Sequence, residues 1–165
     1  KVTTLGSSIR NPQSQIRNPM LLRPATEADL PAVLELYRTA LEDPKILSLE
    51  AATALFQKMQ MYPDYVLYVV ETEAGLVGTF ALLVMDNLGH FGTPSGVVED
   101  VAVRPDQQGR GIGKKMMEFA LDRCREKGCY KLTLSSNLRR TDAHRFYESL
   151  GFRKHGFSFL MEVER

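Results

Sequence analysis

The chain is poor in the residues that mark several large protein classes. Its only cysteines among 165 residues are Cys124 and Cys129. That count and a five-residue spacing fit neither a disulfide framework nor a zinc site, and a reducing cytoplasm is the expected setting. His90 and His155 stand alone, His144 reads as an exposed helix residue, and no pair has metal-ligand spacing, so no metal is expected. A formal net charge of +1 excludes a global field that would attract nucleic acid or an anionic membrane. The longest apolar runs, around Val66 to Val70 and Phe80 to Met85, are too short to span a bilayer. The polar N-terminus does not resemble a secretory signal.

What is present suits a globular domain: 44% apolar and 25% charged side chains, enough to bury a real core. The domain is expected over residues 20–165. Residues 1–19 differ in composition: they hold no Asp or Glu, and Ile9-Arg10-Asn11-Pro12 recurs as Ile16-Arg17-Asn18-Pro19. Two copies cannot build a solenoid. The expectation is a flexible extension, upstream or expression-derived, with Met20 as the natural start.

The periodicity then sets an element order. Leu21 to Pro24 reads as a strand. Thr26, with Asp29 three residues on, looks like a helix entry, followed by Leu30, Val33, Leu34, Tyr37 and Leu41 at helical spacing. Ser48 opens a second helix carried by Ala52, Leu55, Phe56 and Met59. Tyr65 to Glu71 and Leu76 to Met85 read as a β-hairpin, and Val97 to Val103 as a fourth strand stopped by Pro105. A helix through Met116, Met117, Ala120, Leu121 and Cys124 ends at Gly128. Tyr130 to Leu134 is a short strand, and Ala143, Phe146, Tyr147 and Leu150 mark a helix closed by Gly151. The alternation of Phe157, Phe159, Met161 and Val163 with Ser158, Leu160, Glu162 and Glu164 predicts a last strand. The order β-αα-βββ-α-β-α-β implies an α/β fold, a mixed sheet with helices on both faces.

Between the fourth strand and its helix lies RPDQQGRGIGKK, Arg104 to Lys115, with three glycines and four cations. A phosphate-binding P-loop fails here, because Gln108 and Lys115 stand where a Gly and a Ser/Thr are required. A dinucleotide fingerprint fails as well, with Lys114 or Met116 at its third glycine. What remains is physical: glycines let backbone approach a pyrophosphate, and a helix N-terminus aims unpaired N–H groups and a partial positive charge at it.

Gln108-Gly109-Arg110-Gly111-Ile112-Gly113, after a strand of the form V-x-x-V-x-V-x-P, resembles the [Q/R]-x-x-G-x-[G/A] signature of the GNAT superfamily of N-acyltransferases. Ala143-His144-Arg145-Phe146-Tyr147-Glu148-Ser149-Leu150-Gly151-Phe152 is similar to that family's A-x-x-F-Y-x-x-x-G-F helix. The likeness runs from about Met20 to Val163. It implies the GNAT fold, with a mostly antiparallel sheet, and transfer of an acetyl group from acetyl-CoA to a primary amine through a tetrahedral intermediate.

The same resemblance implies the site. The backbone N–H groups of Gln108, Gly109, Arg110, Gly111, Ile112, Gly113 and Lys114 would hold the CoA pyrophosphate. The pantetheine arm would lie along Val101, Ala102 and Val103 like an added strand. Backbone N–H near Val101 would serve the oxyanion. Tyr147 matches the family's acid, able to protonate the departing thiolate because its pKa lies above that of a thiol. Several members carry a Glu as base where Val97 stands here, so the base is expected at Glu99, with Asp100 as the alternative. Strand alternation puts those two on opposite faces unless a bulge intervenes. Asn137 falls where the family often has a polar residue near the cofactor, and otherwise reads as a turn residue. Arg139, Arg140 and Arg145 form a basic cluster that would suit a CoA phosphate or an anionic acceptor.

Locally, SSNLRRTDAHRFYESLGF resembles aminoalkylphosphonate N-acetyltransferases, and the Glu-Asp pair resembles glucosamine-phosphate acetyltransferases. A small-molecule amine is the expected acceptor. The alternatives are a protein lysine or N-terminal acetyltransferase, and a non-catalytic acyl-CoA-binding module. Homodimers are common in the family.

Overall fold

The computed structural model describes residues 20–41 and 45–163, and the expected extension over residues 1–19 lies outside them. The elements are β1 (Leu21–Pro24), α1 (Leu30–Ala40), α2 (Leu49–Met59), β2 (Tyr65–Thr72), β3 (Gly75–Met85), β4 (Ser95–Val103), α3 (Ile112–Glu126), β5 (Leu132–Leu134) and α4 (Thr141–Ser149). The five strands form one sheet in sequence order. β1 to β4 pair antiparallel, and β5 joins β4 in parallel.

Period-two alternation divides the sheet between two cores. Tyr68, Val70, Phe80, Leu82 and Val98 meet Ile112, Met116, Met117, Ala120 and Cys124 of α3, with Phe146 and Tyr147 of α4 packed against them. On the other side Leu67, Val69 and Ala81 meet Leu30 and Val33 of α1 and Phe56 of α2. Each fully buried side chain of this kind contributes about 1.5–3 kcal/mol, so the helices are held by the faces that the periodicity marked. Two glycines set how closely α3 sits. A Cβ on Gly78 would lie 3.1 Å from Met116 Sδ, and one on Gly96 would overlap Cys124 Sγ.

The chain enters α1 through a tight turn. The carboxylate of Asp29 accepts from the Thr26 N–H at 2.7 Å and the Thr26 hydroxyl at 2.9 Å, and the two terminal nitrogens of Arg23 donate to it at 2.7 and 2.9 Å. Residues Glu27–Asp29 therefore form a 3₁₀ turn, and the α-helix starts at Leu30, with Pro31 in its first turn. Arg23 also reaches Glu71 on β2 at 3.0 Å, which ties the turn to the sheet.

One expected element is missing. Residues 157–163 form no strand, and every residue from Arg153 to Val163 is exposed. The alternation is real, but a strand needs a ladder partner, and the sheet of this chain ends at β5 without reaching the segment. The Lys154 ammonium pairs with Glu148 at 3.0 Å, holding the start of the segment beside α4.

Candidate active site

The sheet opens where β4 and β5 part. Their parallel ladder joins Gly96 to Leu132, Val97 to Thr133 and Val98 to Leu134, then stops. Beyond it, β4 continues through Glu99 to Val103 with only β3 beside it among the described residues. The backbone of Val101, Ala102 and Val103 thus has one paired edge and one edge that no strand covers. An extended molecule carrying amides fits such an edge as an added strand.

The bulge that would bring two acids together is present. Ala81 faces Glu99 and Thr79 faces Ala102, so Asp100 and Val101 oppose the single residue Phe80. Asp100 carries the kink at φ +53°, a left-handed conformation that Asp tolerates better than most residues. As a result Glu99 and Asp100 both line one cleft of about 160 Å³, together with Val98, Val101, Leu134, Ser135, Ser136, Arg140, Tyr147 and Leu41.

Tyr147 is brought to this cleft by α4. Its ring contacts Phe146 at 5.1 Å and Phe152 at 5.8 Å between centroids. Burial pushes its phenol above the ordinary tyrosine range, and the Arg140 charge pulls it back in part. Burial likewise raises Glu99, and the Asp100 carboxylate adds to the effect. Tyr37 of α1 is raised chiefly by burial, then by Asp100, and its hydroxyl bonds Thr79. The Ser136 hydroxyl is buried at the cleft wall without a hydrogen-bond partner among the described residues.

At the far end of β4 the glycine loop takes the expected shape. Gly109 and Gly111 have φ of +73° and +82°, which only glycine adopts cheaply. Gly111 caps α3, and the first intrahelical bond runs from the Lys115 N–H to the Gly111 carbonyl at 3.1 Å. Helix geometry leaves the N–H groups of Ile112, Gly113 and Lys114 without intrahelical partners. Gln108 folds back, its side-chain amide donating to the Val103 carbonyl at 3.1 Å, so it anchors the loop to β4. Lys115 pairs with Glu118 at 3.0 Å and Lys114 with the same residue at 3.9 Å, while Arg110 makes no ion pair among the described residues. This donor-rich helix start, reached by the uncovered strand edge, fits a pyrophosphate joined to an amide-bearing arm.

The two sequence blocks meet physically at Gly113. A Cβ there would lie 3.0 Å from Phe146 Cζ, so a larger residue at the start of α3 would push on the helix that carries Tyr147. The other candidates separate. Asn137 is exposed and does not line the cleft: its side-chain oxygen accepts from the Arg139 N–H at 2.9 Å, and its carbonyl accepts from the Arg140 N–H at 3.0 Å. Ser136, one residue earlier, takes the position at the wall. His144 is half-buried and bonds the Asn137 carbonyl at 2.9 Å through Nε2, which pins this turn to α4. Arg145 pairs with Asp142, and of the basic cluster only Arg140 lines the cleft.

Comparison with known proteins gives the family. Residues 30–152 match the model of the acetyltransferase (GNAT) family. The glucosamine 6-phosphate N-acetyltransferase of Trypanosoma brucei brucei is 31% identical over 134 residues, 81% of this chain and 89% of that protein. The aminoalkylphosphonate N-acetyltransferase of Salmonella typhimurium is 32% identical over 84 residues, 51% of this chain and 54% of that protein. The crystal structure of a Trypanosoma brucei acetyltransferase, 30% identical, superposes with a TM-score of 0.75 over 88% of this chain and 100% of that one. The chain belongs to the GNAT acetyltransferase family, whose acyltransferase fold it shares.

Proposed function

We propose that this N-acetyltransferase moves the acetyl group of acetyl-CoA to the primary amine of a small molecule that also carries an anionic group. The cleft between the diverging ends of β4 and β5 supports this most, because it gathers two carboxylates, a half-buried phenol and one arginine at the mouth of an uncovered strand edge. In this reading Glu99 takes a proton from the acceptor's ammonium, directly or through water, and the free amine adds to the thioester carbonyl to form the N–C bond, while backbone N–H near Val101 stabilises the oxyanion of the tetrahedral intermediate. When the C–S bond breaks, Tyr147 gives its proton to the sulfur. Backbone N–H groups from Gln108 to Lys114 hold the pyrophosphate, and Val101 to Val103 pair with the pantetheine arm.

The acceptor part rests on Arg140 and on what the two named relatives share, an amine together with a phosphate or phosphonate. The reading includes a homodimer, and a cytoplasmic setting consistent with Cys124 and Cys129 as free thiols. Thiol release from acetyl-CoA, measured across glucosamine 6-phosphate, glucosamine, an aminoalkylphosphonate, the parent alkylamine and a lysine peptide, tests it. The anionic amines should exceed their neutral counterparts in kcat/KM by about tenfold or more, the worth of one charge-assisted contact. Arg140→Ala should erase most of that preference. A preference for the peptide would mark a protein acetyltransferase instead, and binding of acetyl-CoA without turnover of any amine would mark a non-catalytic acyl-CoA-binding module.

A further inference from the structure

The end of α3 brings the chain's two cysteines together, and the chemistry proposed above uses neither. Gly128 leaves the helix at φ +71°, and two bonds run backwards across it. The Gly128 N–H donates to the Arg125 carbonyl at 3.0 Å, and the Cys129 N–H donates to the Cys124 carbonyl at 2.8 Å. This is a Schellman arrangement, which folds the residue after the glycine back against the last turn of the helix, where two apolar side chains commonly meet. Here the two are thiols. Cys124 is part of the core on the α3 side of the sheet, and Cys129 packs against that core.

The turn meets the distance that a disulfide requires. Bridged cysteines have Cα atoms roughly 4.4–6.8 Å apart. Even drawn out straight, the path from the Cys124 Cα through its carbonyl, across the hydrogen bond and along the Cys129 N–Cα link spans less than about 6.8 Å. The thiols also sense each other: burial pushes Cys124 up to about 12, and the Cys129 thiol beside it adds to the rise. They differ in access, Cys124 being buried and Cys129 half-buried, so an oxidant meets Cys129 first. We infer that Cys124 and Cys129 are a redox-active dithiol, which a peroxide converts into a disulfide tying the last turn of α3 to the segment that leads into β5.

The step has two stages. The Cys129 sulfur attacks one peroxide oxygen, the O–O bond breaks, and a first water leaves a sulfenic acid on Cys129. The Cys124 sulfur then attacks the Cys129 sulfur, the S–S bond forms as the S–O bond breaks, and the Cys124 proton departs with the oxygen as a second water. Two thiols give up two electrons and two protons, and the peroxide takes them. Passing its proton to the leaving oxygen spares buried Cys124 a free thiolate, and a small dithiol reverses the reaction by exchange.

The position gives the step a consequence. Cys124 Sγ lies where a Cβ on Gly96 would overlap it, and the Gly96 N–H donates to the Lys131 carbonyl at 2.9 Å. Gly96 also faces Leu132 in the first pair of the ladder whose last pair, Val98 and Leu134, borders the cleft. Drawing the sulfurs to bonding distance shifts Cys124 on Gly96, and a close-packed interior carries such a shift into the ladder. The inference does not depend on which acceptor the cleft takes.

Treatment of the folded full chain with hydrogen peroxide, stopped with catalase, tests it by thiol titration in denaturant and by mass spectrometry. Both thiols should disappear with loss of the mass of two hydrogens, a peptide map should join Cys124 to Cys129 within one chain, and dithiothreitol should restore both. Backbone amides from Gly96 to Val98 and from Leu132 to Leu134 should change their deuterium exchange at least threefold on oxidation and return on reduction. In Cys129→Ser the remaining Cys124 thiol should be lost at least tenfold more slowly than in wild type, because the oxidant no longer has its exposed partner. Two thiols that survive, or that end as sulfonic acids or as bridges between chains, would overturn the inference. Loss of the Cys124 thiol at the wild-type rate in Cys129→Ser would overturn the order of attack, and unchanged exchange along the ladder would overturn the link to the cleft.

Discussion

Replacing Tyr147 by Phe removes one oxygen atom and little else. The phenol has no hydrogen-bond partner among the described residues, and the ring contacts with Phe146 and Phe152 do not involve it. Stability should therefore hold to within about 1 kcal/mol, a Tm change of a few degrees at this size. Acetyl-CoA affinity should also hold, since the proposed donor contacts lie on β4 and the start of α3. Turnover should not. A positioned general acid contributes roughly 10²–10⁴ in rate, or about 3–5 kcal/mol of barrier. The pH profile supplies an independent check. The acid must stay protonated, so activity falls as pH rises through its pKa, and burial places that limb above the usual tyrosine value near 10. The assay is release of CoA thiol against pH in wild type and variant. Loss of kcat by 10² or more, at unchanged KM for acetyl-CoA and without the alkaline limb, is expected. A variant with wild-type kcat would remove Tyr147 from the chemistry.

Three further outcomes follow from other parts of the molecule. Glu99→Gln should lower kcat/KM about 10²-fold and abolish the acidic limb. A base must be deprotonated, so that limb should lie above the usual glutamate value in wild type, and Asp100→Asn should move it down by removing the neighbouring charge. Gly111→Ala puts a side chain at φ +82°, where nothing lies within 4 Å of the new Cβ, so the cost is backbone strain of about 1–2 kcal/mol. It should raise KM for acetyl-CoA about tenfold with kcat nearly kept, measured by titrating the donor at saturating acceptor. Asp29→Asn should cost about 1–3 kcal/mol in urea unfolding by weakening charge-assisted bonds to Arg23 and Thr26. Hydrogen bonding to Arg23 holds the Asp29 carboxyl well below the usual range, so its contribution is full above the unfolded pKa near 3.9. The difference between wild type and variant should stay constant from pH 7 to about 5 and shrink as pH falls below about 4 toward the native value.

Most of the fold was legible because each element carried its own period and its own stop. Gly128 and Gly151, at φ +71° and +91°, end α3 and α4 where sequence alone put them, and Ser48 caps α2 by accepting from the Ala51 N–H at 3.2 Å. The loop was legible because Gly109 and Gly111 do what only glycine does cheaply. The bulge at Asp100 was not, since register depends on the partner strand, and nothing local to Glu99-Asp100 tells how β3 meets it. Asn137 and Ser136 differ by one residue, and at the end of a strand one residue decides which side chain faces the cleft and which closes the turn. The available signal was the pair of hydroxyls, Ser135-Ser136, where β5 ends. Phe157 to Val163 carry a strand-like alternation but form no strand, because periodicity alone does not supply the ladder partner a strand needs.

The central claim is that the opening between β4 and β5 joins an acyl-CoA to an amine. Single-turnover reaction of excess enzyme with acetyl-labelled acetyl-CoA and a mixed pool of small amines, resolved by mass spectrometry, tests it most directly. One N-acetylated product with one equivalent of free CoA, formed by wild type and slowed by Tyr147→Phe, is the result predicted. Labelled acetyl-CoA recovered intact from every mixture, although bound by the enzyme, would contradict it.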